Sequence, residues 1–558
     1  MISPGKPTFR AADLGWLLPP CILGVLLRLW NVSAQILAGD EMHAVRVALS
    51  KPLPFILTHY ELRDNCIPLT ALYRFLLERG VALSELTVRL PMLLASFLAL
   101  LLLPWIVARR LDWRIGQLYA WLLALSPLLV LYSRIARPYL PIVLFGFLAT
   151  AAFEAWWRTG QRSLAAAYVA SAALAVWFHL GSAPFVLSPF LFALGSVAIE
   201  RRWKRSGGQP GLAGLAVLGG TTAASFLLFL LPARASLLAL VENKHEALEL
   251  SWKTLTGILT LEAGAIHAPV VVLFWLVALY GLFRLLQTET RLGLYTLTLA
   301  AGQVAGLLIL SPELLEHPLV FGRYLLPVLP WVLLWVAVGL AIPWWQGQER
   351  RGVLGQGVAC AALVLVLFLA GPLAEPAFMA SSFTGHNDFV GFFCSRASLP
   401  QDAIPSFYKI VRQQPGATVL EYPWFPLWSY NRVFYLYQEF HHRDVLVAAV
   451  DPLHGAEKLA FRNMPFTSPE AFLTSRARYL IIHVDVLDEE AQVTGHCWPI
   501  ITEMKPFHRH VLRKSGAMMA EVLSTLWGKA DYQEDGLVVW DLARLRHGVR
   551  NGGAMGKV

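Results

Sequence analysis

The sequence predicts a polytopic α-helical membrane protein of about 11 transmembrane helices, with a long first outer loop bearing interfacial helices and a C-terminal extracytoplasmic α/β domain. Composition is the first reason. Of the 558 residues, 56% are hydrophobic and 15% are charged, against roughly 45–50% and about 25% in soluble domains. Charge distribution is the second. Residues 1–372 contain 28 Lys and Arg and 18 Asp and Glu, whereas residues 373–558 contain 18 and 19. We therefore expect a transmembrane domain at 1–372 and a separate domain at 373–558.

The individual spans follow from apolar runs. A helix needs about 20 mainly apolar residues to cross the hydrocarbon layer of a bilayer. Runs of this scale occur at 14–30, 88–108, 115–132, 135–157, 162–179, 183–199, 211–231, 267–286, 292–311, 320–342 and 353–371.

Basic residues in the connections predict the orientation. With a cytoplasmic N-terminus, the cytoplasmic connections are short and contain Arg109, Arg110, Arg114, Arg158, Arg162, Arg201, Arg202, Lys204, Arg205, Arg284, Arg291, Arg350 and Arg351. This pattern obeys the positive-inside rule and places 31–87, 232–266, 312–319 and the C-terminal domain outside. The net charge of +9 therefore reflects topology rather than a nucleic-acid partner.

The C-terminal domain reads as a small α/β domain. Short runs rich in β-branched and aromatic residues, bounded by turn residues, predict strands at 418–422, 479–483 and 537–540. Three cysteines fall on the outer side in this topology, and the sequence leaves open which of them pair: Cys66, Cys394 and Cys497.

The first outer loop contains the strongest candidates for catalysis. Asp40, Glu41 and His43 follow the first span directly and open a helical pattern. Three apolar residues of this pattern are expected to share one face: Val45, Ala48 and Leu49. A carboxylate at the membrane surface is placed to act as a general base toward a lipid-linked substrate. The alternative is structural, with Asp40 as a helix N-cap and Glu41 complementing the helix dipole. The two interpretations are compatible, because a capped helix N-terminus would hold a catalytic carboxylate in a fixed position.

Arginines at the outer ends of two spans predict a phosphate site. Arg134 and Arg137 lie between the third and fourth spans, just before Tyr139, and Arg323 and Tyr324 begin a later span. Arginine on the side that should be poor in basic residues indicates an anionic partner, and its planar fork of donors suits phosphate. Contact with lipid phosphates by snorkelling is the competing explanation.

In their order along the chain, these features resemble the GT-C superfamily of membrane glycosyltransferases. The resemblance is to the branch of aminoarabinose transferases and protein O-mannosyltransferases, and it covers most of residues 1–372. The motifs that carry it are Asp40-Glu41, Asp64 to Leu69, Arg89-Leu90-Pro91, Ser133-Arg134, Arg137-Pro138-Tyr139 and Arg323-Tyr324.

The resemblance implies an inverting transfer of a sugar from a polyprenyl-phosphate carrier to an acceptor hydroxyl on the outer face of a cell membrane, expected to be a bacterial inner membrane. Asp40 would be the general base, with Glu41 as a second catalytic candidate. Arg134, Arg137, Arg323 and Tyr324 would bind the donor phosphate. Candidates for binding the acceptor or the sugar are His43, Asp64 and Tyr139.

The chain departs from the family at one motif. Relatives commonly have Asp-x-His-Pro-Pro-Leu where this chain has Asp64-Asn-Cys-Ile-Pro-Leu69, which removes a histidine that could bind metal. Some superfamily members use a divalent cation. Oxygen and imidazole donors for one are present, but their spacing matches no defined metal motif, so no cofactor is predicted as required: Asp40, Glu41, His43 and Asp64.

Two other functional classes compete with the interpretation of this protein as an enzyme. A transporter or flippase for a lipid-linked sugar would also have many spans and outer arginines, but such proteins tend to place polar sites near the bilayer midplane. Here 12 of the 18 acidic residues of 1–372 fall in the outer segments instead. A binding or scaffolding membrane protein would not require Asp40 at all.

Overall fold

The chain divides into two compact units, one up to residue 375 and one from residue 376 onward. A computed structural model provides the coordinates. The residues that the structure describes are 15–30, 32, 41–61, 64–200, 210–244, 251–265, 267–312, 315–341, 362, 366, 369, 371–374, 399–424, 432–449, 469–492, 506–534 and 536–550.

The first unit is helical throughout its described part. Its helices are α1 (Leu18–Leu29), α2 (Met42–Ser50), α3 (Leu53–Thr58), α4 (Ile67–Glu78), α5 (Glu85–Arg110), α6 (Trp113–Leu125), α7 (Pro127–Ser133), α8 (Tyr139–Thr159), α9 (Arg162–Phe178), α10 (Ala183–Glu200), α11 (Leu212–Leu230), α12 (Arg234–Lys244), α13 (Trp252–Ala263), α14 (Ala268–Thr288), α15 (Thr290–Leu310), α16 (Pro318–Leu325) and α17 (Leu329–Leu340).

Six of the described helical segments are long and apolar enough to cross a membrane, and two bent helix pairs raise the number to as many as eight. The chain is therefore a multi-pass membrane protein. Helices α1 and α9 are apolar but shorter. The run at 353–371 lies almost entirely outside the described residues, and the count of about 11 spans stays a prediction.

The first bent pair is α6 and α7, which meet at an angle of 57°. The bend lies where Pro127 follows Ser126. A proline has no backbone N–H, so the carbonyl four residues earlier, that of Leu123, loses its helical hydrogen bond. Arg28 of α1 supplies the missing donor, because its Nη2 lies 3.0 Å from the Leu123 oxygen.

The second bent pair is α16 and α17, at an angle of 78°. In a continuous helix the N–H of Val328 would bond the carbonyl of Tyr324, but here it bonds the carbonyl of Leu325 at 2.7 Å. The side chain of Gln303 replaces the lost donor, since its Nε2 lies 2.8 Å from the Tyr324 oxygen. At both breaks, a polar side chain from another helix thus donates a hydrogen bond to the carbonyl that lost its helical partner, as an apolar surrounding requires.

Helices α14 and α17 pack with their backbones in close approach. A methyl group on Gly281 would collide with the carbonyl of Trp335, and one on Gly339 would collide with the carbonyl of Val277. Only glycine fits at such a crossing, because a side chain would separate the two helices.

The first outer loop folds into the three short helices α2, α3 and α4. The apolar pattern from Thr70 to Arg79 predicts an amphipathic helix, and α4 confirms it. On α2 the sequence predicted a common face for Val45, Ala48 and Leu49; Val45 and Ala48 are buried, but Leu49 is exposed. Helix α2 packs through a narrow stripe. Leu49 is rotated by about 100° around the helix from Ala48, so its side chain no longer faces the protein.

The second unit is an α/β domain with a five-stranded mixed sheet. Its elements are α18 (Ser406–Arg412), β1 (Thr418–Trp424), α19 (Arg432–His441), β2 (Asp444–Ala449), α20 (Pro469–Thr474), β3 (Tyr479–His483), α21 (Val486–Ala491), α22 (Pro506–Trp527), β4 (Tyr532–Glu534), β5 (Leu537–Asp541) and α23 (Leu542–Arg550). The strand order is β2-β1-β3-β5-β4, with β2, β1 and β3 parallel to one another and β5 antiparallel to β3 and β4.

Both faces of this sheet are covered by helices. Alternate strand residues enter two separate cores, so that Val419 and Ile481 pack on one face and Leu420 and Ile482 on the other. The three predicted strands are present as β1, β3 and β5. Strands β2 and β4 lie at the two edges and were not predicted.

A buried charged cluster lies at the end of β3. The two ring nitrogens of His483 contact Glu489 and Glu421, each at 2.7 Å. Tyr408 and Tyr437 donate hydrogen bonds to these carboxylates. Burial alone would lower the pKa of His483, but the two carboxylates raise it to about 10.

This cluster makes the stability of the second unit pH-dependent. An unfolded histidine has a pKa of 6.5, so the stabilisation is complete below that pH and is lost as the pH rises through about 10. The free energy of unfolding should fall by at most about 1.4 kcal/mol per pH unit in this window. The measurement is the temperature at which the second unit of the full-length protein becomes protease-sensitive. His483→Gln should flatten the dependence, and an unchanged slope in this variant would contradict the assignment.

Candidate functional site

A buried ion pair lies at the start of α2. Glu41 accepts two hydrogen bonds from Arg89 of α5, from Nε to Oε1 at 2.9 Å and from Nη2 to Oε2 at 2.7 Å. The exposed fractions of these side chains are 2% and 1%. Glu41 Oε1 also accepts the backbone N–H of Ala136 at 2.8 Å. One carboxylate therefore joins the first outer loop, α5 and the turn between α7 and α8.

The end of α1 fixes the two arginines on either side of this carboxylate. Arg89 Nη1 donates to the carbonyl of Val32 at 2.6 Å, and Arg134 Nη2 donates to the carbonyl of Trp30 at 2.7 Å. Burial and the nearby positive charge of Arg89 lower the pKa of Arg134 to about 10. Arg134 stays protonated at neutral pH, and its guanidinium is held in one place by the backbone.

Asp64 lies near the same turn. Its Oδ2 accepts a hydrogen bond of 2.5 Å from Thr70 of α4, while Oδ1 is buried and has no hydrogen-bond partner among the described residues. Burial raises the pKa of Asp64, whereas the Thr70 hydroxyl and the positive charge of Arg137 oppose the shift. The thiol of Cys66 next to it is fully buried, which raises its pKa.

Two tyrosine rings lie near Arg323, and further aromatic rings pack against them. Its guanidinium carbon lies 6.0 Å from the ring centre of Tyr139 and 5.8 Å from that of Tyr324. The His179 ring lies 5.9 Å from Tyr139 and 5.3 Å from Tyr324, and the Tyr132 ring lies 4.8 Å from Tyr139. Gln303 holds this arrangement through the carbonyls of Gly181 and Tyr324. A cation above tyrosine faces is attracted by the ring electrons.

The turn from Arg134 to Tyr139 is therefore the centre of the site. Ala136 contacts Glu41, Arg137 acts electrostatically on Asp64, and Tyr139 lies under Arg323. The arrangement places several buried cations and aromatic rings beside acidic residues of the first outer loop. Chemically, it suits an anionic group that must be held while a neighbouring atom reacts.

Comparison with known proteins identifies the fold. No protein-family model and no curated protein matches the chain. Among solved structures, the chain is similar to ArnT from Cupriavidus metallidurans in the apo state, with 13% identity and a TM-score of 0.53 over 95% of this chain and 98% of ArnT. The fold is that of ArnT. The same ArnT bound to undecaprenyl phosphate gives 11% identity and a TM-score of 0.51 over 86% of this chain and 95% of that one.

An oligosaccharyltransferase from Archaeoglobus fulgidus is more distantly similar, with 12% identity and a TM-score of 0.44 over 94% of this chain and 73% of that one. The likeness to ArnT agrees with the fold that the resemblance of the sequence motifs implied. This likeness extends over nearly the whole length of both chains, so it includes the second unit as well as the membrane helices.

Most of the predicted site residues come together within this ArnT-like fold. The contacts above connect Glu41, Asp64, Arg134, Arg137, Tyr139, Arg323 and Tyr324. His43 is buried on α2, two residues after Glu41. Asp40 lies outside the described residues.

A divalent cation finds few ligands in the described part of the site. No group of three or more His, Cys, Asp or Glu side chains there is close enough to hold a metal ion. Both oxygens of Glu41 already accept hydrogen bonds from Arg89, whereas Oδ1 of Asp64 has a free lone pair. The residues of the described loop therefore do not form a metal site by themselves.

The sequence did not single out Arg89, His179 or Gln303 as site residues. Arg89 was noted only as part of a motif, and its ion pair with Glu41 joins positions 48 residues apart. His179 lies at the end of an apolar run, which predicts an interfacial or helix-packing role, and it is buried with its ring near those of Tyr139 and Tyr324. A polar residue inside or at the end of an apolar run was the signal available for each.

The Glu41–Arg89 pair should dominate the stability of the site. Glu41→Leu leaves Arg89 buried without its counter-charge and should lower the free energy of unfolding by about 3–5 kcal/mol. Adding Arg89→Met removes the unpaired charge and should restore much of that loss. The measurement is the unfolding temperature of the detergent-solubilised protein for the two single variants and the double variant. Additive losses in the double variant would show that the two side chains do not act as a pair.

Proposed function

We propose that this protein is a membrane glycosyltransferase that moves a sugar from a polyprenyl-phosphate carrier to an acceptor hydroxyl. The observation that carries the proposal is the Arg134–Tyr139 turn, which brings the first outer loop, the end of α1 and helix α16 into one site. Two independently predicted groups, the loop carboxylates and the arginines at span ends, are thereby neighbours. A sugar phosphate needs both kinds of group within reach.

The arginines would bind the phosphate of the donor. When the bond between the anomeric carbon and the phosphate oxygen breaks, negative charge develops on the departing phosphate. Preorganised cations in a water-poor site stabilise that charge. Arg134 and Arg137 belong to the turn that ends at Tyr139, and Arg323 lies near the Tyr139 ring; Tyr324 would be a further hydrogen-bond donor. A phosphate monoester leaves without protonation, so no general acid is required.

Asp40 would be the general base that deprotonates the acceptor hydroxyl. It is bonded directly to Glu41, whose carboxylate is fixed by Arg89 and by the N–H of Ala136. We therefore assign Glu41 a positioning role and Asp40 the catalytic one. A single in-line displacement at the anomeric carbon inverts its configuration. Asp64, His43 and Tyr139 would contact the sugar or the acceptor.

The likeness to ArnT supports the lipid carrier, because one of the two similar ArnT structures holds undecaprenyl phosphate. The basic residues of the cytoplasmic connections support a site on the outer face, with the second unit on the same side, in a bacterial inner membrane. Acceptor hydroxyls of a lipid, a glycan or a protein all fit the proposed chemistry.

Asp40→Asn should abolish sugar transfer, because the amide cannot accept the proton of the acceptor hydroxyl. The unfolding temperature and the affinity for undecaprenyl phosphate should stay unchanged. Glu61→Gln is the matched control, since Glu61 is a partly exposed carboxylate of the same loop. The assay follows the release of free undecaprenyl phosphate from a labelled donor. Full activity of Asp40→Asn would remove Asp40 as the base, and translocation of intact donor without release would favour a flippase.

Loss of a phosphate-binding arginine should weaken donor binding. Arg137→Ala and Arg323→Ala should each raise the Kd for undecaprenyl phosphate by about 10–100-fold, the range expected for one charge-assisted hydrogen bond. Arg109→Ala removes an arginine that stacks on Trp105 at the other end of α5 and should leave the Kd unchanged. Wild-type affinity in both site variants would refute the phosphate site.

A further inference from the structure

We propose that Arg28 is a positioning residue for the donor phosphate site, acting through the bend between α6 and α7. This inference rests on the function proposed above and goes beyond it, because Arg28 lies in the predicted first span and its guanidinium is committed to protein groups. Its exposed fraction is 1%. In the described part of the chain all of its hydrogen-bond partners are neutral: Gly24, Ser96, Leu123 and Ala124.

The contacts of Arg28 match what the bend leaves unsatisfied. Its Nη2 donates to the carbonyl of Leu123 at 3.0 Å, and its Nη1 donates to the carbonyl of Ala124 at 3.1 Å. The Leu123 carbonyl has no helical partner because Pro127 has no N–H. The Ala124 carbonyl belongs to the last turn of α6. Nε donates to the Ser96 hydroxyl of α5 at 2.6 Å, which fixes the plane of the guanidinium.

The chemistry of these contacts calls for arginine. Two adjacent carbonyls at the C-terminus of a helix form a negative end that a cation complements. A planar guanidinium can reach both carbonyls and a third acceptor at once, whereas an ammonium presents a point charge. Buried charge is expensive within a membrane span, so the position of Arg28 indicates that the bend requires it.

The bend in turn places the phosphate-binding turn. Helix α7 begins at Pro127 and ends at Ser133, and Arg134 follows directly. Arg134 donates to the carbonyl of Trp30, two residues after Arg28. Helix α1 therefore holds both ends of α7, through the Arg28 side chain at the bend and through a backbone carbonyl at Arg134. Gly264 packs so closely on Pro127 that a Cβ would collide with the proline ring.

The test separates positioning from simple support of the fold. Arg28→Met should raise the Kd for undecaprenyl phosphate at least about tenfold and accelerate hydrogen exchange of the amides in 123–137. Adding Pro127→Ala gives the Leu123 carbonyl a backbone N–H again, so α6 can continue straight. The double variant should recover unfolding temperature and slow exchange, but its Kd should remain raised. Tyr295→Phe, which removes another buried hydrogen bond between helices, is the matched control and should bind normally.

The outcomes are distinguishable. A double variant that recovers affinity together with stability would show that Arg28 only supports the fold, and the proposal would be overturned. Wild-type affinity in Arg28→Met would overturn it as well. Failure of the wild-type protein to bind undecaprenyl phosphate or to release it from a donor would instead refute the proposed function, on which this inference depends.

Discussion

The bidentate ion pair between Glu41 and Arg89 is the interaction on which the rest of the site depends. It is almost completely buried, and the same carboxylate accepts the N–H of Ala136. Removing one partner of such a pair is far costlier than the net gain of forming it, because the other charge is left without compensation. The first outer loop, α5 and the turn after α7 are therefore fixed relative to one another, and the proposed base Asp40 is bonded directly to this anchor.

The site is assembled where helices break. An apolar surrounding offers no water to carbonyls that lose their helical partner, so each break needs a donor from elsewhere in the protein. Arg28 supplies it at the bend of α6 and α7, and Gln303 supplies it at the bend of α16 and α17. Each bend is followed or preceded closely by an arginine of the proposed phosphate site, Arg134 or Arg323. The residues that maintain the breaks and those that would bind the substrate are thus different sets.

Much of this could be predicted from sequence, for identifiable reasons. The helical membrane unit follows from apolar runs, and Arg134, Arg137 and Arg323 stand out because they contradict the charge bias of the connections. The partners of these residues could not be predicted. The pairing of Glu41 with Arg89 joins distant helices, and no local pattern encodes it. Strands β2 and β4 were missed because short edge strands carry little periodicity, and the exposure of Leu49 depends on how α2 packs.

The glycine contact between α14 and α17 has a mechanical consequence. Two backbones in direct contact cannot slide or rotate against each other without a clash, so α17 is held in place relative to α14. Helix α16 is joined to α17 through the 78° bend and contains Arg323 and Tyr324. In the described structure, α16 has no comparable contact with α14. The segment that contains Arg323 and Tyr324 is therefore not held by the glycine contact that fixes α17 against α14.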